Sequence, residues 1–254
     1  MTREIQVLAD GIYGSVVISD EEQALLAAKA AGRAVLGVEG KTGERLWAAP
    51  CVVPSWEEVT EDLLERVLRR RLGLPWQIAQ GERLRIRELT QEDKRAIPAK
   101  EELLPEEAVF RDAEGLKAYI QNQYQVWEYG IWAVECRRDG CLAGLAGVFL
   151  PKLSEEAQAA LAAWGPDGEF LELGYRIFSP FRGRGWGKEA CGLIQNYVHE
   201  ELGCRLLAVI EESNKASRRL AESLGFTPIF RGAVRAPESG TLWSERQLLY
   251  GETR

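Results

Sequence analysis

Arg182-Gly183-Arg184-Gly185-Trp186-Gly187 joins an apolar run with strand character, Glu172-Leu173-Gly174-Tyr175-Arg176-Ile177-Phe178, to a helix that begins near Lys188. Three glycines in six residues permit a sharp turn and let another molecule come close to its amides. The first amides of a helix lack internal partners, and the positive end of its dipole faces outward. Strand, turn and helix together therefore form an anion site of the kind that holds phosphate. A glycine turn alone is a weak signal, and two other phosphate-binding motifs do not fit these residues. A Walker loop requires a glycine at 182 and Ser or Thr after Gly187-Lys188, where Arg182 and Glu189 stand. A dinucleotide fingerprint requires glycines at 183, 185 and 188, and Lys188 breaks it.

The chain around this turn has 254 residues, room for one large domain or two small ones, and typical domain sizes favour two. Hydrophobic residues make up 46% and charged residues 28%, and no apolar stretch approaches the ~20 residues that cross a bilayer. A membrane partner is therefore not expected. The start, Met1-Thr2-Arg3-Glu4-Ile5, does not read as a signal peptide, which makes the cytoplasm the expected location. Cys51, Cys136, Cys141, Cys191 and Cys204 are dispersed and odd in number, a pattern of free thiols. With a single histidine besides, no metal is expected. A net charge of −7 argues against nucleic-acid binding through a broad basic face.

Two units are legible along the chain. In the first, strands at 16–20 and 34–38, a possible strand at 49–53, and helices at 21–31 and 57–71 alternate as a small α/β domain with a short parallel sheet. The segment Gly73-Leu74-Pro75-Trp76-Gln77-Ile78 interrupts that pattern, giving domains 1–78 and 79–254. In the second, 82–89 alternates as a one-sided strand, 113–127 is helical, and 131–136 and 142–150 form a hairpin about Asp139-Gly140. A two-residue turn there would set Arg138 against Cys141 and Cys136 against Ala143. An inserted helix at 153–168 precedes the strand at 169–178. After the turn come a helix to 202, a strand at 205–210, a helix at 214–224, and strands at 226–235 and 241–250.

The spacing Arg182, Gly185, Gly187 is similar to the Arg-x-x-Gly-x-Gly signature of the GNAT superfamily of N-acetyltransferases. The stretch from Ile210 through Asn214, Ser217 and Leu224-Gly225-Phe226 resembles that family's Asn-x-x-Ser, helix and Leu-Gly-Phe ending. The resemblance runs from about 82 to 250 and, with Glu172-Leu173-Gly174-Tyr175, looks most like the branch that acetylates ribosomal-protein N-termini. It implies an α+β fold with a mixed, mostly antiparallel central sheet, acetyl-CoA as donor, and an amine acceptor. It implies diphosphate contacts from Arg182, Gly183, Arg184, Gly185, Trp186, Gly187 and Lys188. It also implies pantetheine contacts from Ile177 and Phe178 on a strand that splays from its neighbour, where one amide polarises the reacting carbonyl, and from Asn214 and Ser217 at the start of the next helix.

Acyl transfer to an amine needs a neutral amine and a proton for the departing thiolate. Glu172 is the candidate base, acting through water; its other reading is a carboxylate paired to an arginine or bonded on the sheet face. The family's usual acid is a tyrosine where this chain has Ala221, which leaves Ser217, Tyr175 or a water. His199, near a helix end, reads as a surface cation placed by the dipole. Arg69-Arg70-Arg71 reads as favourable charge in a last helical turn. Trp127, Trp132 and Trp164 lie where an acceptor cleft would form, although core packing is the commoner use of such residues. The acceptor loops are expected at 90–130 and 231–242.

Residues 1–78 are similar to the latter half of haloacid-dehalogenase-type phosphatases but lack the Asp-x-Asp nucleophile. They are read as a non-catalytic unit for docking, for forming a homodimer, or for positioning an acceptor. Two functions compete with acetyl transfer: a CoA-binding regulatory module with little turnover, motivated by Ala221, and a phosphatase of the first domain.

Overall fold

The computed structural model describes all residues except 41, 42, 44, 102, 104, 166, 167, 236–245 and 254. The chain divides into two compact units, Met1–Trp76 with Asp112–Glu128, and Gln77–Arg111 with Tyr129–Arg254. No helix among the described residues is long and apolar enough to cross a membrane.

The first unit is built on β1 (Thr2–Ala9), β2 (Ile12–Ser19), α1 (Glu22–Ala30), β3 (Ala34–Val38), the short β4 (Val52–Val53) and α2 (Glu61–Leu72). Its sheet runs β1-β2-β3-β4, and β2, β3 and β4 are mutually parallel, as the alternating pattern implies. The expectation of a purely parallel sheet is corrected by β1, which pairs antiparallel with β2 through Asp10-Gly11. Both turn residues have positive φ, 48° and 79°, the backbone that matches a hairpin's twist. Ile18, Leu36, Leu64 and Leu68 form the centre of the core. The helix expected at 57–71 is broken at Val59, and α2 starts afresh where the Thr60 hydroxyl accepts from the Leu63 amide. Arg69 pairs with Asp10 and Glu65, and Arg66 and Arg70 with Glu128, so these arginines clamp the unit. The remainder of the unit is α4 (Ala113–Tyr119), a π-helical turn, and α5 (Gln125–Trp127).

The second unit contains β5 (Gln77–Gln80), β6 (Leu84–Arg87), α3 (Asp93–Ala96), β7 (Ile131–Cys136), β8 (Leu142–Phe149), α6 (Glu155–Trp164), β9 (Phe170–Ile177), α7 (Trp186–Tyr197), β10 (Arg205–Glu211), α8 (Lys215–Ser223), β11 (Phe226–Gly232) and β12 (Gln247–Glu252). Its eight-stranded sheet has the order β11-β12-β10-β9-β8-β7-β6-β5. Every pair is antiparallel except β9/β10, so this is the mixed, mostly antiparallel sheet expected.

Several local expectations are corrected. The strand expected at 82–89 is only Leu84–Arg87, and Gln77-Ile78, read as a boundary, begins the strand that pairs with it. The β7–β8 loop is longer than a two-residue turn. The Cys136 amide bonds the Cys141 carbonyl at 2.9 Å, which sets these cysteines opposite each other, while the Asp139 carboxylate accepts from the Cys141 amide at 3.3 Å. That side-chain bond is what holds the wider loop. The strand expected at 226–235 ends at Gly232, and of the strand expected at 241–250, residues 241–245 lie outside the described residues. The expected loop at 231–242 and inserted segment at 153–168 are described only as far as 235 and apart from 166 and 167. His199 is only partly exposed and points inward: its Nε2 lies 2.7 Å from the buried Glu252 carboxylate. Trp132 is fully buried edge-on to Tyr197, and Trp164 packs over Gly251, so both serve the core. Trp127, in the first unit, is half exposed.

Candidate functional site

The quoted turn follows β9 directly. The Phe178 amide donates to the Ala143 carbonyl of β8 at 2.9 Å, one short helical turn spans Ser179–Phe181, and the chain then bends through Gly183 and Gly185, both at φ 75°. Gly185 caps α7 with no side chain to occupy the first-turn amides, so those donors face outward. Gly187 serves packing: a Cβ there would stand 3.1 Å from both Leu220 Cδ1 and Tyr175 Cε2. Its absence lets α7 seat on β9 and α8. Arg184 and Lys188 are exposed, while Trp186 is buried and stacked on Phe181, ring centroids 5.3 Å apart.

Three side chains that the sequence did not disclose brace this bend. Arg83 donates to the Arg184 carbonyl at 2.9 Å and pairs with Glu189 at 2.7 Å, and Glu189 also accepts from the Arg83 and Leu84 amides. The buried Glu101 accepts from the Ser179 amide and hydroxyl and from the Arg182 guanidinium. Burial opposes ionisation of both carboxylates. The amide bonds and arginines outweigh it and hold both below the ordinary carboxylate range. Arg182, expected on the diphosphate, instead turns back to Glu101 and to the Ile177 carbonyl at 2.8 Å. It shapes the turn while its side chain stays 55% exposed.

Beside the turn the sheet opens. The β9/β10 ladder has only the pairs Phe170–Arg205, Leu171–Leu206 and Glu172–Leu207, after which the strands part. The Phe178 amide, expected to contact a ligand arm, is spent on β8. By strand alternation the backbone groups of Leu173, Tyr175 and Ile177 face the opening instead. Here the structure brings two candidates together: the Tyr175 hydroxyl lies 3.1 Å from Ser217 Oγ. Burial raises the Tyr175 phenol above its ordinary value, only partly offset by the Ser217 bond. Asn214 Oδ1 accepts from the Ser217 amide at 3.1 Å, capping α8 as its residue type suggests and fixing where Ser217 stands.

Glu172 does not join them. Side chains three positions apart on a strand project from opposite faces, so Glu172 leaves the sheet on the side away from Tyr175. It is buried and clamped through both oxygens by Arg235, Nη1 at 2.6 Å, the arginine itself resting against the Phe149 ring. Of its two readings, the paired carboxylate is the arrangement observed. Ala221, in the place of the usual tyrosine, is buried in α8.

The family model for the acetyltransferase (GNAT) domain matches residues 83–227. Among solved structures, a GNAT-family acetyltransferase from Bacillus anthracis is 18% identical, covering 68% of this chain and 96% of its own, with a TM-score of 0.48. Ribosomal-protein-S5-alanine acetyltransferase from Vibrio fischeri is 12% identical over 70% and 94% of the two chains, TM-score 0.48. A chimera of the Vibrio cholerae spermidine N-acetyltransferase SpeG and hSSAT is 16% identical over 67% and 94%, TM-score 0.49.

Proposed function

Because the chain belongs to the GNAT acetyltransferase family, we propose that it transfers an acetyl group from acetyl-CoA to a primary amine by direct attack of that amine. The donor supplies the acetyl group as a thioester: an N–C bond forms as the C–S bond breaks, the amine gives up a proton and the departing thiolate takes one. The observation that carries the reading is the hydroxyl pair of Tyr175 and Ser217, set beside the opening between β9 and β10 and next to the glycine-capped start of α7. The opening leaves strand amides free for an extended arm, and the first-turn amides with Arg184 and Lys188 suit a diphosphate. Tyr175 holds the proton for the thiolate, and Ser217 orients it. Glu172, tied to Arg235, positions the strand and takes no proton.

Thiol release from acetyl-CoA across a panel of peptide N-termini, free amino acids, aminoglycosides and polyamines tests this directly. Release that depends on at least one amine is expected. Tight CoA binding with no release on any acceptor would favour the regulatory-module reading that Ala221 raises.

The donor site has a separate test. Gly185→Val forces a branched residue to φ 75°, which costs on the order of 1–2 kcal/mol and disturbs the amides of the turn. Calorimetry should show CoA binding weakened by about tenfold or more. Unchanged affinity would remove the bend as the diphosphate site.

A further inference from the structure

Among the described residues the two sheets end in four edge strands, β1, β4, β5 and β11. Three of them are blunted in ways that keep an edge from pairing with another chain. β4 has only two residues, β5 has four with a register shift between Gln77 and Ala79, and β11 carries Pro228 with a shift beside it. β1 has none of these devices. Its eight residues hold one register against β2 from Thr2 to Ala9, with no proline, lysine or bulge. We propose that β1 pairs antiparallel with β1 of a second copy of this chain, joining two four-stranded sheets into one about a twofold axis at Ile5.

The geometry of the hairpin assigns the free groups of this edge. Ala9 and Ile12 close the two-residue turn as a bonded pair, so by alternation Val7, Ile5 and Arg3 spend their amides and carbonyls on β2. Those of Thr2, Glu4, Gln6 and Leu8 point outward. A twofold axis normal to the sheet sets residues of like parity opposite one another. With Ile5 facing Ile5 of the second copy, Thr2 meets Leu8 and Glu4 meets Gln6, and every outward group is used. A shift of two residues either way loses one of these pairs, and in one direction it sets Glu4 against Glu4, a destabilising meeting of like charges.

Side chains favour the same partner. The odd residues of β1 face α2: Val7 and Ala9 pack in the core of Leu64 and Leu68, and Arg3 lies over Trp56, 4.8 Å from its ring centre. That core thins out at Ile5, which is 36% exposed. Across the axis Ile5 meets its own copy as a non-bonded pair with Cα atoms about 4.5 Å apart, so the two cores become continuous. On the other face α1 packs on β2 and β3, and Leu8 of β1 stays 48% exposed; pairing lays it beside Thr2 of the second copy. No like charges stand opposite each other, because Glu4 faces Gln6 and Arg3 faces Val7. A strand of unrelated sequence could bond the same outward groups, but a second copy supplies the match of side chains by symmetry.

Light scattering of the full chain at about 100 μM should give twice the monomer mass. Gln6→Pro removes an outward amide and leaves the β2 ladder its bonds, so it should give the monomer mass with the thermal midpoint scarcely moved. Charge at the same position reads the register. Gln6→Lys sets a lysine opposite Glu4 on both sides of the axis and should tighten the dimer about threefold or more at low salt, while Gln6→Glu should loosen it by as much. These two variants decide the matter even where Gln6→Pro fails to fold. A wild-type chain that stays monomeric overturns the proposal, whether or not it captures some other strand. A dimer that survives Gln6→Pro, or that responds alike to lysine and glutamate, is built on another surface or register and overturns it too.

Discussion

Tyr175→Phe is expected to lower kcat by about 10²-fold or more, the usual worth of a positioned proton donor, with KM for acetyl-CoA within about twofold. The ring stays, so its packing against Gly187 and α8 is kept and the thermal midpoint should scarcely move. Ser217→Ala removes only the group that orients the phenol at 3.1 Å and should cost about tenfold or less. The pH profile adds a readout that a merely structural role would not move. Burial raises the Tyr175 phenol above its ordinary value near ~10, so its proton is fully present below that pH and is lost only above it. No alkaline limb from this group should therefore enter below about pH 10. The rising limb should instead follow the acceptor, near ~8 for an α-amine and near ~10.4 for a lysine-like amine. An unchanged kcat in Tyr175→Phe would return the proton to water and leave Ala221 uncompensated.

What the sequence disclosed about this site was what short range encodes. Gly183 and Gly185 need positive φ, Asn214 caps the helix that starts at the next residue, and the period of two in β9 is visible in Leu171, Leu173, Tyr175 and Ile177. These features depend on neighbours within a few residues. The braces do not: Glu101 reaches Ser179, Arg83 reaches Glu189 and Arg235 reaches Glu172 across separations of 78, 106 and 63 residues, and a single charged residue carries no spacing signature for such a partner. The same limit explains Arg182. Its type marks an anion site, but the buried Glu101 beside it decides which anion it meets. Strand β1 was missed for another reason. Six of its eight residues are exposed, so no apolar run marks it. In the β7–β8 hairpin, Asp139-Gly140 was the right turn signal with the wrong register, because the Asp139 side chain widened the loop.

The ion pair of Glu172 and Arg235 gives the largest expected effect on stability. Arg235→Ala leaves a carboxylate that is 2% exposed with its main counter-charge gone, and removing one partner of a buried pair costs about 3–5 kcal/mol. For a folding unit of this size the midpoint should fall by roughly 6–20 °C, read by calorimetry. The cost is one of desolvation rather than of a lost attraction. Glu172→Leu with Arg235→Met should therefore recover most of it, since apolar side chains of similar volume need no counter-charge. Activity separates the two readings of Glu172. As a positioning residue, Glu172→Leu/Arg235→Met should keep kcat within about tenfold of wild type once folded. As a base it would lose about 10²-fold or more, and its pH profile would lose a limb. Because Glu172 and Tyr175 leave β9 from opposite faces, the first outcome follows from the period of the strand itself. A stable double variant with kcat down 10²-fold would show that a proton path reaches around the sheet to a carboxylate already held by a guanidinium.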